Sequence, residues 1–593
     1  NTTAANNTAV GRDSLKANTT GASNVAVGAS ALDANTTGAS NVAIGWNSLT
    51  TNTTASNNTA VGQSALGLNT TGAQNTAVGT GAGSAITTAV NTVVMGYQAG
   101  DAITTGNNNV AIGTTALSAN TTGASNTALG HAALLANTTA TNNTAVGYGS
   151  LTGNTTGTAN VATGTSSLPA NTTGSYNTAV GFTAGHSNTT GAFNTMVGEQ
   201  AGYNNISGER NVFLGHYAGF VNTGSYNTFL GTNAGDANTT AANNVAVGYA
   251  ALSANTTGAE NVAVGREALV ANTTGAGNVA IGKDALDANT TASNNVAIGL
   301  QALTANTTGY SNTAVGKSAL GANTTGHRNS AFGKDSLDAN LTGYYNVAVG
   351  EASLGANTDG HSNTALGHEA LYNNTEGDEN VAVGNAALTT NTTAVSNTAV
   401  GTNALRLTST GNNNVAVGKS ALDVNTTGFE NTAVGSSAGV TNTTGYQNIT
   451  IGKDCVSSSA TVNGECTLGN ANINNLRCND TSISSLSDLR DKTNIVDIPL
   501  GLNFLNTVRP VSFDWDRRDG SQAGKKDFGF IAQELKVAAD ATVYADHMRL
   551  VCEENPDRLE ADPMKMFPIL VKALQELSAK NDALEARLTT LEG

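Results

Sequence analysis

The sequence predicts an all-β repetitive shaft, a parallel β-roll or β-solenoid of 17-residue turns, followed by a mixed α/β, mainly helical domain that ends in a coiled coil. Three observations predict this fold class: a 17-residue motif recurs through most of the chain, the recurring region is rich in Gly, Asn and Thr, and an apolar heptad pattern occupies the last stretch. We therefore expect a shaft over residues 1–452, a neck over residues 453–486, and a C-terminal domain over residues 487–593 whose coiled coil covers residues 567–593.

The repeat is nearly perfect in its spacing. The glycine that closes each Asn-Thr/Val-Ala-Val/Ile-Gly block recurs every 17 residues from Gly11 to Gly215. One step of 16 residues leads to Gly231, and the spacing of 17 then continues to Gly452, which gives 27 copies. Because 17 residues this rich in Gly, Asn and Thr cannot form a pair of helices, an α-solenoid is excluded.

Residues 24–40 illustrate one repeat. The run Val25-Ala26-Val27 suits a short strand, because β-branched residues favour strands, and the Ala-Leu pair that follows predicts a second one. The Asn-Thr-Thr-Gly segment supplies turn chemistry, since Asn tolerates left-handed conformations and Gly accepts positive φ. Each rung is therefore expected to contain two short strands and two turns.

The alternation of side chains along the strand predicts how the rungs associate. Val25 and Val27 share one face and Ala26 lies on the other. We expect the valines to fill the rung and the small Ala26 to allow the close approach of a neighbouring chain. Because a rung has few large apolar side chains to offset an ordering entropy of ~1–2 kcal/mol per residue, the shaft is expected to need association of three chains, that is, a homotrimer.

Composition and charge exclude several partners. The net charge of −16 disfavours nucleic acid, whose phosphates require clustered Lys and Arg. No run of 18 apolar residues occurs, so no membrane insertion is expected. The spacing of the cysteines does not match a zinc site, and neither a metal nor a cofactor is expected; they are Cys455, Cys466, Cys478 and Cys552.

The Asn-Thr-Thr triplets match the acceptor pattern for N-glycosylation. Their regular place in the turn of each rung explains them without a sugar, and we predict a structural role for these asparagines. Secretion from a glycosylating host would instead decorate the shaft densely. Examples are Asn18, Asn35, Asn255 and Asn272.

Several rungs replace Ala-Leu by Ala-Gly, and most of them lie between about residues 181 and 235, where extra aromatic residues occur. We predict that the aromatic side chains fill the space that the missing Leu leaves; a binding patch or a bend is the alternative. The aromatic residues are Phe182, Phe193, Tyr203, Phe213, Tyr217, Phe220, Tyr226 and Phe229.

Two motifs of the C-terminal quarter resemble a known family. Ser487-Asp488-Leu489-Arg490-Asp491-Lys492 is followed by Gly529-Phe530-Ile531-Ala532-Gln533-Glu534. Together they strongly resemble the endosialidase-type intramolecular chaperone, a self-cleaving serine peptidase domain at the end of trimeric phage tailspikes and fibres. The repeats resemble the heads of trimeric autotransporter adhesins, which pack as left-handed parallel β-rolls, and the Asn-Thr-Thr-Gly repeats of proteins described as tail-fibre-domain proteins.

The resemblance implies the chemistry of the C-terminal domain. Ser487 is the implied nucleophile, and it attacks the carbonyl of Leu486, so that the bond between Leu486 and Ser487 is cut. A hydroxyl needs a base, and Lys492 can serve if burial lowers its pKa. Asp488 and Arg490 are expected to position the loop through an ion pair.

The last stretch predicts a helix with an apolar seam in steps of three and four. Asn581 stands at an a position of this heptad pattern, where a polar residue fixes the register and lowers stability. The seam consists of Phe567, Leu570, Leu574, Leu577, Asn581, Leu584, Leu588 and Leu591.

These features predict a structural viral tail fibre, part of the virion tail, that attaches to a host-surface receptor, either a glycan or a surface protein. The C-terminal chaperone is expected to bring three chains together and then to cut itself off by a single-turnover reaction. Two alternatives remain: a bacterial surface adhesin or extracellular fibre with the same chaperone, which an upstream secretion signal or anchor would favour, and a glycan-degrading tailspike, which paired carboxylates in a cleft would favour.

Overall fold

The computed structural model describes residues 3–473, 477, 487–516, 523–553 and 559–593. The chain divides into two compact units, residues 1–368 and residues 369–593. The predicted fold class is confirmed: a parallel β-solenoid with 17-residue repeats is followed by a small C-terminal region of helices and short strands.

The first unit is a parallel β-solenoid with one three-residue strand in each rung. Each strand pairs in parallel with the strand of the next rung, so that Ala26, for example, lies beside Ala43. The strands are β1 (Thr8–Val10), β2 (Val25–Val27), β3 (Val42–Ile44), β4 (Thr59–Val61), β5 (Thr76–Val78), β6 (Val93–Met95), β7 (Val110–Ile112), β8 (Thr127–Leu129), β9 (Thr144–Val146), β10 (Val161–Thr163), β11 (Thr178–Val180), β12 (Thr195–Val197), β13 (Val212–Leu214), β14 (Thr228–Leu230), β15 (Val245–Val247), β16 (Val262–Val264), β17 (Val279–Ile281), β18 (Val296–Ile298), β19 (Thr313–Val315), β20 (Ser330–Phe332), β21 (Val347–Val349) and β22 (Thr364–Leu366).

The strand faces are the reverse of the expected arrangement. Ala26 is fully buried inside the rung, whereas Val25 and Val27 point outward and are partly exposed. The prediction that the valines fill the rung is therefore wrong. The physical reason is space: Leu32 and two asparagines already occupy the interior, and only a methyl group fits beside them on the strand.

The Ala-Leu segment forms a turn rather than the expected second strand. Leu32 adopts a positive φ of 54°, and its N–H donates to the carbonyl of Ser48 in the next rung (3.0 Å). Its side chain is fully buried. The segment thus places one leucine per rung in the interior without strand geometry, and the burial of that side chain offsets the cost of a left-handed backbone.

Two ladders of buried asparagines run through the turns. Asn35 donates from Nδ2 to Oδ1 of Asn18 (2.8 Å) and to the carbonyl of Gly38 (2.9 Å). Oδ1 of Asn24 accepts from the backbone N–H of Asn41 (2.9 Å). The asparagines of the Asn-Thr-Thr triplets named above are all buried, with amide nitrogens that donate inside the rung, which confirms their structural role and leaves no room for a sugar in the folded shaft.

The rungs without the interior leucine are filled from the strand. Gly185, Gly202, Gly219 and Gly235 stand where Leu32 stands in its rung, and the inward strand residues nearby are Met196, Phe213 and Phe229, all fully buried. The prediction that aromatic residues fill this space is confirmed for the two phenylalanines. It is wrong for the other six: Phe182, Phe193 and Tyr226 are exposed on the surface, and Tyr203, Tyr217 and Phe220 are partly exposed.

Four half-buried aspartates in equivalent turns make the stability of the solenoid depend on pH. Burial raises the pKa of Asp101, Asp236, Asp287 and Asp338 above the ordinary value of 3.8. The folded state therefore binds more protons than the unfolded state, so its stability decreases as pH rises through the raised pKa values. We expect the melting temperature of the shaft to rise as pH falls from 7 towards the ordinary aspartate value of 3.8.

A variant with all four aspartates changed to Asn is the control for this prediction. Thermal denaturation followed by circular dichroism at several pH values should show a flatter profile for the variant, because the neutral amide lacks the charge that burial disfavours. Equal profiles for both proteins would contradict the assignment of the effect to these four groups.

The second unit begins with strands of the same kind. They are β23 (Val381–Val383), β24 (Thr398–Val400), β25 (Val415–Val417), β26 (Thr432–Val434), β27 (Ile449–Ile451) and β28 (Cys466–Leu468). The last strand, β28, lies beyond the expected end of the shaft at residue 452 and pairs with β27 in the same register.

The C-terminal region packs four helices around a small core. Its helices are α1 (Leu502–Leu505), α2 (Ala532–Asp540), α3 (Ala545–Met548) and α4 (Phe567–Glu592), and its strands are β29 (Val511–Asp514), β30 (Lys526–Gly529), β31 (Val551–Cys552) and β32 (Glu560–Ala561). The core contains Phe504, Leu535, Ala539, Met548, Leu550, Met566 and Ile569. No helix among the described residues has the length and apolar character needed to cross a bilayer.

Candidate functional site

Ser487 and Lys492, the expected catalytic pair, are in contact. The Nζ atom of Lys492 donates a hydrogen bond to Oγ of Ser487. A 3-10 turn over Leu489–Asp491 brings the two side chains together, because it reverses the chain between them. The pair is thus formed locally, by a segment of six residues.

Asp488 and Arg490 build the turn that holds this pair. The carboxylate of Asp488 caps the turn by accepting the backbone N–H of Arg490 (2.9 Å), and it also binds the guanidinium of Arg490 (2.5 Å). These hydrogen bonds hold the pKa of Asp488 below its usual range and raise that of Arg490. The structure therefore contains an ion pair between Asp488 and Arg490, and this pair stabilises the turn between Ser487 and Lys492.

The surroundings of the pair differ from the expectation. Ser487 and Lys492 are both exposed to solvent in the single chain, whereas the expected role of Lys492 as a base requires burial. Leu486, whose carbonyl the cleavage requires, lies outside the described residues. The single chain thus brings the serine hydroxyl and the lysine amine together but does not shield them from water.

The second motif of the sequence builds the scaffold of the domain. Gly529 ends the β29–β30 hairpin, and Ala532 begins α2. Glu534 in the first turn of α2 binds the guanidinium of Arg509, which precedes β29, and this pair holds the pKa of Glu534 below its usual range. Arg509 was not singled out from the sequence, because nothing local marks its partner 25 residues further on.

Helix α4 has two different faces. On one face Ile569 and Ala573 are buried against the domain, and the carboxylate of Glu576 accepts the backbone N–H of Leu502 (2.9 Å) at the start of α1. The neighbouring face of the helix is the predicted seam, whose Leu577 and Leu584 are 52 % and 61 % exposed. Asn581 lies on this face, and its Nδ2 donates to Glu585 of the same helix (3.0 Å). The predicted helix is confirmed.

No group of three or more His, Cys, Asp or Glu side chains in the described parts of the chain could hold a metal ion. Cys455, Cys466 and Cys552 are free thiols, and Cys478 lies outside the described residues.

Residues 487–544 match the family model described as chaperone of endosialidase. The match begins at Ser487, the candidate nucleophile, and covers the turn, the hairpin and α2. No curated protein matches the chain. A segment similar to this family, in a chain with a β-solenoid shaft, fits a fibre of the tail-fibre or tailspike type.

Proposed function

We propose that this chain is one subunit of a homotrimeric fibre whose C-terminal domain aligns three chains and then cuts itself off between Leu486 and Ser487. The observation that carries the proposal is the Lys492–Ser487 hydrogen bond at the first residue of the family match. The exposed apolar seam of α4 supports the assembly step, because heptad seams of this kind are buried in coiled coils.

The cleavage would proceed as an acyl transfer followed by hydrolysis. Lys492, as the neutral amine, takes the proton of the Ser487 hydroxyl while Oγ adds to the carbonyl carbon of Leu486. The bond from that carbon to the nitrogen of Ser487 then breaks, the nitrogen takes a proton from Lys492, and an ester to Oγ remains. Water hydrolyses this ester, which leaves the carboxylate of Leu486 on the shaft and a free amine on Ser487.

The exposure of Lys492 supports a link between assembly and cleavage. An ammonium in water keeps its proton at neutral pH and cannot act as a base, whereas burial favours the neutral amine. Association of chains around the loop would supply that burial. The domain carries many exposed apolar side chains for such an association, among them Leu489, Val496, Phe528 and Val543.

The mature fibre would belong to a virion tail and connect it to a receptor on the host surface, either a glycan or a surface protein. Removal of the assembly domain would make unfolding of the fibre irreversible, because the chains could no longer reassemble by the route that formed them. A bacterial surface location, with the same chaperone, is the outcome favoured if the purified fibre keeps its C-terminal domain.

Intact mass and denaturing electrophoresis test the cleavage. The wild-type chain should give a shaft that ends at Leu486 and a fragment that begins at Ser487. Ser487→Ala should remain full length, and Lys492→Met should be cut at least ~100-fold more slowly, since general-base catalysis contributes 10²–10⁴-fold. Ser512→Ala, an exposed serine of β29, is the matched control and should be cut as the wild type is. A full-length wild-type chain in assembled protein would refute the proposed cleavage.

A further inference from the structure

The outward strand residues form a face of two rows on the solenoid: one row is apolar, and the other mixes Val with Thr and Ser. In β1–β22 the third residue of each strand is Val, Ile, Leu, Met or Phe, with Thr163 as the one exception, and the first is Val, Thr or Ser. These side chains point away from the rung interior and are partly exposed; Ile298, for example, is 36 % exposed. Since the strands pair in register, the outward residues form two parallel rows along the whole sheet.

This face excludes charge, although its edges do not. None of the outward residues of β1–β22, all of which are described, is charged. The position directly after the closing glycine, only two residues beyond the third strand residue, often carries a charge, as at Arg12, Glu199, Arg266, Lys283, Lys317 and Lys334. A face that simply met water would have no reason to differ so consistently from its edge.

The extent of the face points to a buried role. Monomeric soluble proteins rarely expose continuous apolar patches beyond a few hundred Å², and larger patches mark interaction sites. Here the same two outward positions recur in every one of the 22 strands of the first unit. Exposed β-branched rows on a regular sheet also promote aggregation unless a partner covers them.

A second copy of this chain is the partner that fits. The face repeats once per 17-residue rung, and a surface that covers every rung must have the same repeat. Another copy of the chain has the same 17-residue repeat, and its own outward face must also be buried. The unpartnered seam of α4 shows a second apolar surface of the same chain that is suited to self-association.

We infer that the outward face of β1–β22 is the surface by which the shafts of neighbouring copies pack together, an inference that rests on the proposed homotrimeric fibre. The valines, isoleucines and leucines of this face, rather than the inward alanines, then lie between the chains. This packing removes the outward face from solvent and leaves the charged residues at its edge exposed to water.

Site-specific photocrosslinking in the full chain tests this interface. The photoreactive residue p-benzoylphenylalanine replaces Ile298 on the face or, as the matched control, Leu300 two residues away at the edge, which is 42 % exposed. We expect covalent dimers and trimers on denaturing gels from position 298 and at least tenfold fewer from position 300. Sedimentation of each protein before irradiation reports whether it is assembled.

The outcomes separate this inference from the proposed function. Trimers that crosslink at position 300, or equally at both positions, would overturn the face assignment and leave the trimeric fibre intact. A monomeric mass would overturn both. As a second readout, Ile281→Glu with Ile298→Glu should lower the assembled fraction at least tenfold, whereas Leu300→Glu should not, with the β-sheet circular dichroism unchanged in both.

Discussion

Replacing Gly265 with alanine is expected to break the shaft locally and to lower its free energy of unfolding by about 3–5 kcal/mol. Gly265 has a φ of +137°, and a Cβ atom there would lie 2.5 Å from the carbonyl oxygen of Gly282 in the next rung. Backbone cannot move aside as a flexible side chain can, so the two rungs must separate. Amide hydrogen exchange should show lost protection in β16 and β17, while strands several rungs away keep theirs.

Gly277→Ala is the matched control for this prediction. Gly277 has a φ of +66°, and the group nearest to its Cβ position is the side-chain oxygen of Asn294 (2.9 Å). Ala159 occupies the equivalent place in another rung with a φ of 56°, so alanine is tolerated there at a cost of about 1–2 kcal/mol. Equal destabilisation by the two substitutions would contradict the argument from backbone contact and indicate a general sensitivity to φ.

The period of the repeat, and with it the solenoid, could be predicted from the sequence alone. The spacing from Gly11 to Gly452 fixes which residues stack, and the structure pairs them as that spacing requires. The 16-residue step before Gly231 is absorbed without a break, since β13 and β14 still pair residue by residue. Regular stacking therefore follows from local spacing and needs no knowledge of distant contacts.

The inward and outward faces could not be decided by the same reasoning. Alternation along a strand separates Val25 and Val27 from Ala26, but it does not tell which side is the interior. Which side faces the interior depends on the volume of the side chains that share it. One feature of the sequence indicates this: where Gly202 and Gly219 replace the interior leucine, the middle strand residues are the larger Met196 and Phe213. A residue that grows when its neighbour shrinks shares a cavity with that neighbour.

The candidate site was also predicted only in part from the sequence. The resemblance of the two sequence motifs singled out Ser487 and Lys492, and the structure joins these side chains by a hydrogen bond. Their exposure could not be predicted, because burial of a loop depends on what packs over it. The ion pair between Arg509 and Glu534 could not be predicted from the sequence either, because it joins two elements that meet only in the folded domain.

Changing Leu577 and Leu584 together to Glu is expected to abolish assembly of the chain at micromolar concentration. Both side chains lie on the exposed seam of α4, a helix of 26 residues that spans about 39 Å. Burial of each leucine between helices contributes about 1.5–3 kcal/mol, and a carboxylate in its place would be buried without a partner. The association constant should therefore fall at least ~100-fold, as measured by sedimentation velocity over a concentration series.

A pair of alanines on the opposite side of the heptad provides the control. Ala579 and Ala586 are exposed, and changing both to Glu adds the same charge to the same helix away from the seam. This variant should assemble as the wild type does and should be cut between Leu486 and Ser487 at the wild-type rate. The seam variant should stay uncut, because a single chain leaves the loop of Ser487 and Lys492 exposed to water. Rapid cleavage of a monomeric seam variant would show that the serine and lysine act without assembly, and the link between trimer and cleavage would have to be abandoned.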